Sequence, residues 1–158
     1  MVRLDDLHPE EAHHMRNMGK RFDQMPLDST PFVTPPPLAE STVALITSAG
    51  LHRRDDRPFR FADQGYRVIP SDIDPADLVQ TQVSVNFDRT HYQRDVNVVL
   101  PIDRLRELAD AGEIGAVSVY HYSVLGSNPN PALMKDAAAD LAQRLHDSGV
   151  HCAMLTPV

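Results

Sequence analysis

A chain of 158 residues fits one domain, and a domain of this size buries about 70% of the surface its unfolded chain exposes, so a core can form without covalent staples. With 22 acidic against 15 basic side chains the formal net charge is -7, and the pair Arg53-Arg54 adjoins Asp55-Asp56, which excludes the segregated basic face and aromatic platform that nucleic acid requires. The single cysteine, Cys152, excludes an intrachain disulfide and a Cys-rich zinc site, making a reducing compartment, the cytoplasm, the expected location.

The start, MVRLDDLHPEEAHHM, carries acids and histidines where a signal peptide needs a basic end and an apolar stretch. No later run is apolar over a length that spans a bilayer, so no membrane partner is expected. Residues 8–25 have helix-forming composition, with Met15, Met18, Phe22 and Met25 spaced to line one face, while His13-His14 read as solvated. Residues 1–25 are therefore expected to form an N-terminal helical arm that docks on a core or a neighbour. From Pro26 the segment PLDSTPFVTPPP cannot propagate a helix, because each proline lacks an amide donor and fixes its own φ; residues 26–40 form the connector.

The remainder, 41–158, reads as an α/β domain, expected to be incomplete at its C-terminus. STVALITSAG, residues 41–50, is a continuous apolar run ending in small residues, as in a central strand that enters a loop. Tyr66–Pro70 is a second strand, and Val83, Val85 and Phe87 alternate as a half-exposed one. Pro101 starts a helix with the stripe Ile102, Leu105, Leu108 and Ala109, and Gly112 lies just beyond it. Ala116–Tyr122 reads as strand. Asn130-Pro131 caps a helix whose face is Leu133, Ala137, Leu141 and Leu145 and which Gly149 ends; Val150–Thr156 follows as a buried strand. The order strand, helix, strand, helix, strand over 98–156 predicts crossover units and a mostly parallel, flavodoxin-like or Rossmann-like sheet.

In such sheets ligands bind beyond the carboxyl ends of the strands. Those ends are Thr47 to Gly50, Tyr122-Ser123 leading to Gly126, and Thr156 to Val158, so Ser48, Gly50, Ser123 and Thr156 are the candidate substrate-binding residues. Ser48 and Gly50 can offer a hydroxyl and close backbone approach to a small anion, or form an ordinary turn; the stretch lacks the lysine and further glycines of a P-loop. The segment NFDRTHYQRD gathers Asp88, His91 and Asp95, the candidate catalytic residues. They can supply a general base with an orienting carboxylate or three metal ligands, or be a polar loop whose aspartates cap turns. No metal site is otherwise expected. His121, inside a strand, reads as a satisfied core histidine, and Cys152, inside VHCAML, as structural.

VALITSAGLHRRDDRPF, IPSDIDPADL, NFDRTHYQRDVNVVLPIDRLRELADAGEIG and the closing MLTPV together resemble the selenoprotein B family of glycine, sarcosine and betaine reductases and D-proline reductase, over residues 40–158. The most specific part is an Asp-x-Asn-x-x-x-Pro-x-Asp element, Asp95, Asn97, Pro101 and Asp103, followed by the Gly-Glu-Ile-Gly turn at 112–115. The resemblance implies reductive C–N cleavage at the α-carbon of a small amino acid or amine, with a selenolate as nucleophile and a pyruvoyl carbonyl on a partner subunit holding the amine. A selenol ionises more readily than a thiol, which supplies more nucleophile near neutral pH.

The chain departs from that pattern in having no selenocysteine and no cysteine beyond Cys152. In the family the selenium lies shortly after a strand end like MLTPV, so a UGA codon read as stop is expected to follow Val158. Selenocysteine is then expected at position 159, with a resolving cysteine a few residues on and an amphipathic helix after it. Read this way the chain is the N-terminal part of a reductase subunit, inactive alone, that assembles with other reductase subunits and with a second copy of itself. The alternative is a non-catalytic α/β binding or scaffold protein derived from the family.

Overall fold

A computed structural model describes residues 3–22, 33–83, 89–126 and 131–158. It divides into two compact units, residues 1–33 and 34–158. The first holds helix α1 (Pro9–Phe22), opened by Glu10 and Glu11, whose charges suit the helix amino end. Met15 on α1 is exposed, whereas Met25 of the expected stripe lies outside the described residues.

The second unit is α/β and its main sheet is mostly parallel. Strand β1 (Thr42–Thr47) is near-continuously apolar because both of its faces are covered. On one edge it pairs in parallel with β7 (Cys152–Thr156) along Val43 to Thr47. On the other it pairs in parallel with β5 (Ala116–Val117) and then β6 (Tyr120–Val124). Strand β3 (Tyr66–Pro70) closes the far side, antiparallel to β6. Helix α4 (Lys135–Asp147) covers one face, with Ala138, Leu141 and Leu145 opposite Ile46, Tyr66 and Val124. The other face carries Val43, Leu45 and Ile69 into a core completed by Leu100, Ile102 and Leu105 of helix α3 (Ile102–Asp110) and the turn before it. A two-stranded antiparallel sheet, β2 (Leu51–Arg53) with β4 (Leu78–Gln80), adds Leu51 and Leu78 to that core.

Several sequence expectations need correction. Strands β2 and β4 are absent from the expected set, since three residues are too few to show a period. The expected strand 116–122 is broken: Val43 pairs Val117 and Ile46 pairs Tyr122, so the partner uses two more residues than β1 over the same stretch. That bulge falls at Ser118-Val119. No strand precedes α3 at residue 98, because Val96–Val98 form a 3-10 turn. Val83 is not in a strand, and Val85 and Phe87 lie outside the described residues. Asn130 also lies outside them; the next helix opens as a 3-10 turn, Pro131–Met134, before α4 begins at Lys135. Leu108 and Leu133, expected on buried stripes, are exposed, with Met134 facing the sheet instead. The last strand, expected to be buried, is an open edge with Leu155 68% exposed. It pairs with β1 alone among the described residues.

At the bulge the amide of Leu45 donates to Nδ1 of His121 at 3.0 Å. The acceptor role of Nδ1 puts the ring proton on Nε2, which is buried with no partner among the described residues. His121 is thus a core histidine as expected, but only half satisfied. Burial, with a lesser contribution from Arg106, lowers its pKa from 6.5 to about 4. A second buried polar group fixes the loop before β3. Arg67 bonds Asp63 at 2.9 Å and the carbonyl of Arg57 at 2.9 Å, and lies 4.2 Å from the centre of the Phe59 ring. Burial alone would raise the Asp63 pKa, but the Gly65 amide and Arg67 outweigh it and hold the carboxyl below its usual range.

A pH prediction follows from His121. The unfolded chain takes up this proton near pH 6.5 and the folded chain near pH 4, so the stabilisation is complete above 6.5 and is lost as pH falls towards 4. The loss is on the order of 3 kcal/mol, for a shift of this size. Urea unfolding at pH 7, 5.5 and 4.5 should show a steeper decline in the parent chain than in His121→Gln, whose amide oxygen can still accept the Leu45 N–H; equal slopes would remove the ring from this account.

Candidate functional site

The carboxyl ends of β1, β6 and β7 meet. Thr47 is in register with Thr156 on one side and Ser123 on the other, so three hydroxyl residues cross the sheet in one row. Beyond that row Ser48 joins the strand ends: its amide donates to the Thr156 carbonyl at 3.1 Å and its carbonyl accepts the Gly126 amide at 2.9 Å. Its hydroxyl accepts the Val158 amide at 2.8 Å and donates to the Val158 carbonyl at 3.3 Å. A Cβ on Gly126 would stand 2.8 Å from the Ser48 carbonyl oxygen and 3.2 Å from that of Val158, so backbone alone fits there.

The four candidate binding residues divide by what their polar groups already do. Gly50 has φ +68°, and a Cβ there would overlap the Thr81 carbonyl; its amide donates to Val124 and its carbonyl accepts from Thr81. Ser123 is fully buried and its hydroxyl accepts the Leu51 amide at 2.7 Å. These two shape the edge from within. Ser48 is half-buried, and Oγ1 of Thr156 is buried with no hydrogen-bond partner among the described residues. Ser48 and Thr156 are therefore the pair that the fold brings together at the edge.

The candidates near residue 90 form a different constellation. Asp88 lies outside the described residues. His91 is exposed on helix α2 (Arg89–Arg94), and its carbonyl accepts the Asp95 amide at 3.0 Å. The Asp95 carboxylate accepts from the backbone and side-chain amides of Asn97, both at 2.9 Å. Asn97 also donates to Asp103 at 2.9 Å and accepts the Asp103 amide at 3.0 Å. The Asn97 side-chain bond, first among the causes, holds both carboxyls below their usual range, and Arg106 at 2.6 Å assists at Asp103. The Asp-x-Asn-x-x-x-Pro-x-Asp element is thus a clip on the first turn of α3, with Pro101 at the N-cap position. Asn97 went unnoticed as its hub; an Asp two residues before an amide it can accept is the Asx-turn signal that points to it.

Cys152 opens β7, four residues before Thr156 and about 13 Å from the carboxyl edge at strand rise. It is half-buried against the core beside Val43. No group of three or more His, Cys, Asp or Glu able to hold a metal occurs among the described residues. Among the described residues no helix is long and apolar enough to cross a membrane.

A mostly parallel α/β sheet whose strand ends meet at Ser48 on the carboxyl edge defines the class. Residues 20–158 match the family glycine/sarcosine/betaine reductase selenoprotein B, and the chain belongs to that family. It is 31% identical over 134 residues to D-proline reductase subunit gamma of Acetoanaerobium sticklandii, a match covering 78% of this chain and 54% of the relative. Glycine reductase complex component B subunit gamma of Carboxydothermus hydrogenoformans is 28% identical over 149 residues, covering 87% of this chain and 34% of the relative. Sarcosine reductase complex component B subunit beta of Peptoclostridium acidaminophilum is 27% identical, with the same coverage. The chain therefore spans about half the length of the first of these relatives and about a third of the other two. No solved structure shows a significant match.

Asn97→Ala removes the three side-chain bonds of the clip and should cost about 1–3 kcal/mol in urea unfolding, more than Asp95→Ala, which leaves the Asn97–Asp103 half intact. Equal losses would mean that Asn97 acts through Asp95 alone.

Proposed function

We propose that this chain forms part of a subunit of a selenoprotein B type reductase that cleaves the C–N bond of a small amino acid or its derivative, and that the nucleophile is not among its residues. The observation that carries this reading is the locked strand junction. Ser48 grips both backbone groups of Val158 at the carboxyl edge, beside the buried unpartnered hydroxyl of Thr156. A selenocysteine directly after Val158 would stand at that edge and supply the nucleophile; a pyruvoyl group on a partner subunit would hold the amine. The residues of this chain then have positioning work. Ser48 fixes the strand end, Gly126 lets the backbone approach, and Ser48 with Thr156 forms the substrate side. Glycine, sarcosine, betaine and D-proline are the substrates suggested by the relatives' names. A cytoplasmic assembly with other reductase subunits, and with a second copy of this chain, completes the proposal.

The occupied state of the edge favours one alternative, a binding or scaffold protein: Ser48, Gly50 and Ser123 all bond backbone with their polar groups. Reading the DNA past codon 158 separates the two. An in-frame UGA followed by an open frame with an amphipathic helical period supports the reductase subunit, and another stop codon supports the binding protein. In assays with dithiol donors and the four substrates above, the 158-residue chain should show no C–N cleavage. Turnover that survives Cys152→Ala would refute the need for an added nucleophile, and turnover abolished by that change would assign the role to Cys152.

A further inference from the structure

The strands of the main sheet are joined unequally. Strand β7 holds β1 through five residue pairs, Val43–Cys152 to Thr47–Thr156, and β3 holds β6 through five, Tyr66–Val124 to Pro70–Tyr120. Between these halves β1 and β6 share two pairs, Ile46–Tyr122 and Thr47–Ser123. At the carboxyl edge the Gly50 amide donates to the Val124 carbonyl at 3.0 Å and the Gly126 amide to the Ser48 carbonyl at 2.9 Å, which continues the seam. At the bulge the Leu45 amide donates to Nδ1 of His121. A side chain stands there in place of a ladder bond, so one proton can withdraw this link.

We propose that the main sheet parts along the β1–β6 seam, on the carboxyl side of the bulge, with His121 as its latch, so that acid opens the edge between Ser48 and Gly126 while both halves stay paired. An imidazolium carries N–H on both nitrogens, so Nδ1–H would face the Leu45 N–H, and the buried Nε2–H has no partner among the described residues. The surroundings offer the charge nothing. Leu45 and Ile69 flank the ring on β1 and β3, and the β2–β4 ribbon and α3 turn Leu51, Leu78 and Leu105 to the same core. Tyr122 on its own strand turns away, edge-on to Tyr66. Arg106 of α3, paired with Asp103 at 2.6 Å, is the charged group acting on the ring, and its sign is the same. A folded sheet therefore takes up the proton by separating His121 from Leu45. Parting the seam breaks two pairs and the two edge bonds, whereas splitting either half breaks a five-pair ladder. The device depends on the sheet alone and holds whether or not the chain serves a reductase.

Once the seam is parted the ring takes up its proton near pH 6.5 rather than about 4, so the opening equilibrium rises about thirtyfold between pH 7.5 and pH 5. Amide hydrogen exchange of the 158-residue chain at these two pH values, corrected for the intrinsic pH dependence of exchange, tests this. Leu45, Gly50 and Gly126 bridge the seam; Ser48 and Ser71, bonded to Thr156 and Val119, lie within the halves. The bridging amides should exchange at least about tenfold faster than the other two and without response to low urea, as a local opening does. At pH 5 their opening should gain about thirtyfold, and the gain should vanish in His121→Gln, whose amide oxygen still accepts the Leu45 N–H. Equal rates in the two sets with a shared urea dependence would show that the seam opens only with the whole domain, and would overturn the proposal. So would bridging amides indifferent to pH in the parent chain, or a gain retained in His121→Gln. The comparison of the two sets needs the parent chain alone, so it decides the matter even where the variant fails to fold.

Discussion

The amide of Leu45 lies fully buried in the middle of the central strand, and its hydrogen-bond partner is a side chain. A buried amide left unpaired costs about 1–3 kcal/mol, so something must replace the ladder where β5 gives way to β6. The imidazole of His121 does so. The Ser118 amide bonds Val43, His121 Nδ1 accepts from Leu45, and the ladder resumes with Ile46 opposite Tyr122. This re-phasing lets β6 reach the carboxyl edge beside Thr47, so that the strand ends meet at Ser48 and Gly126. The geometry of the site is downstream of one neutral ring in the core.

The sequence carried the outline of this fold where local chemistry and tertiary position agree. Strand β3 has the bounds that its β-branched run predicts, and α3 lies between Pro101 and Gly112 as its capping residues require. The bulge was not visible, because Val117 to Tyr122 is as apolar as an unbroken strand and the cause of the break is a contact between His121 and a strand 76 residues away. The exposure of β7 was not visible either. An apolar run records what a strand is suited to touch; whether a neighbour stands beside it depends on the rest of the assembly.

The candidate site was legible by location more than by role. The rule that ligands meet the carboxyl ends of parallel strands pointed to Ser48 and Thr156, which the fold brings within one backbone hydrogen bond. The same rule also selected Gly50 and Ser123, whose polar groups turn inward to backbone partners that sequence does not reveal. At residues 95–103 the spacing identified a unit and left its use open, since a carboxylate that can act as a base is equally fit to accept two amides. The bonds from Asn97 join Asp95 and Asp103 in a clip on the first turn of α3.

The position of the lone thiol has a practical meaning. Cys152 is half-buried at the start of the open strand, packed beside Val43, and no other cysteine competes with it. An alkylating reagent reaches it more freely when β7 lifts from β1, so a change in labelling rate reports a change in how often that strand opens. The chain thus carries a built-in chemical clock for fraying at its own sheet edge, readable by mass without any added probe.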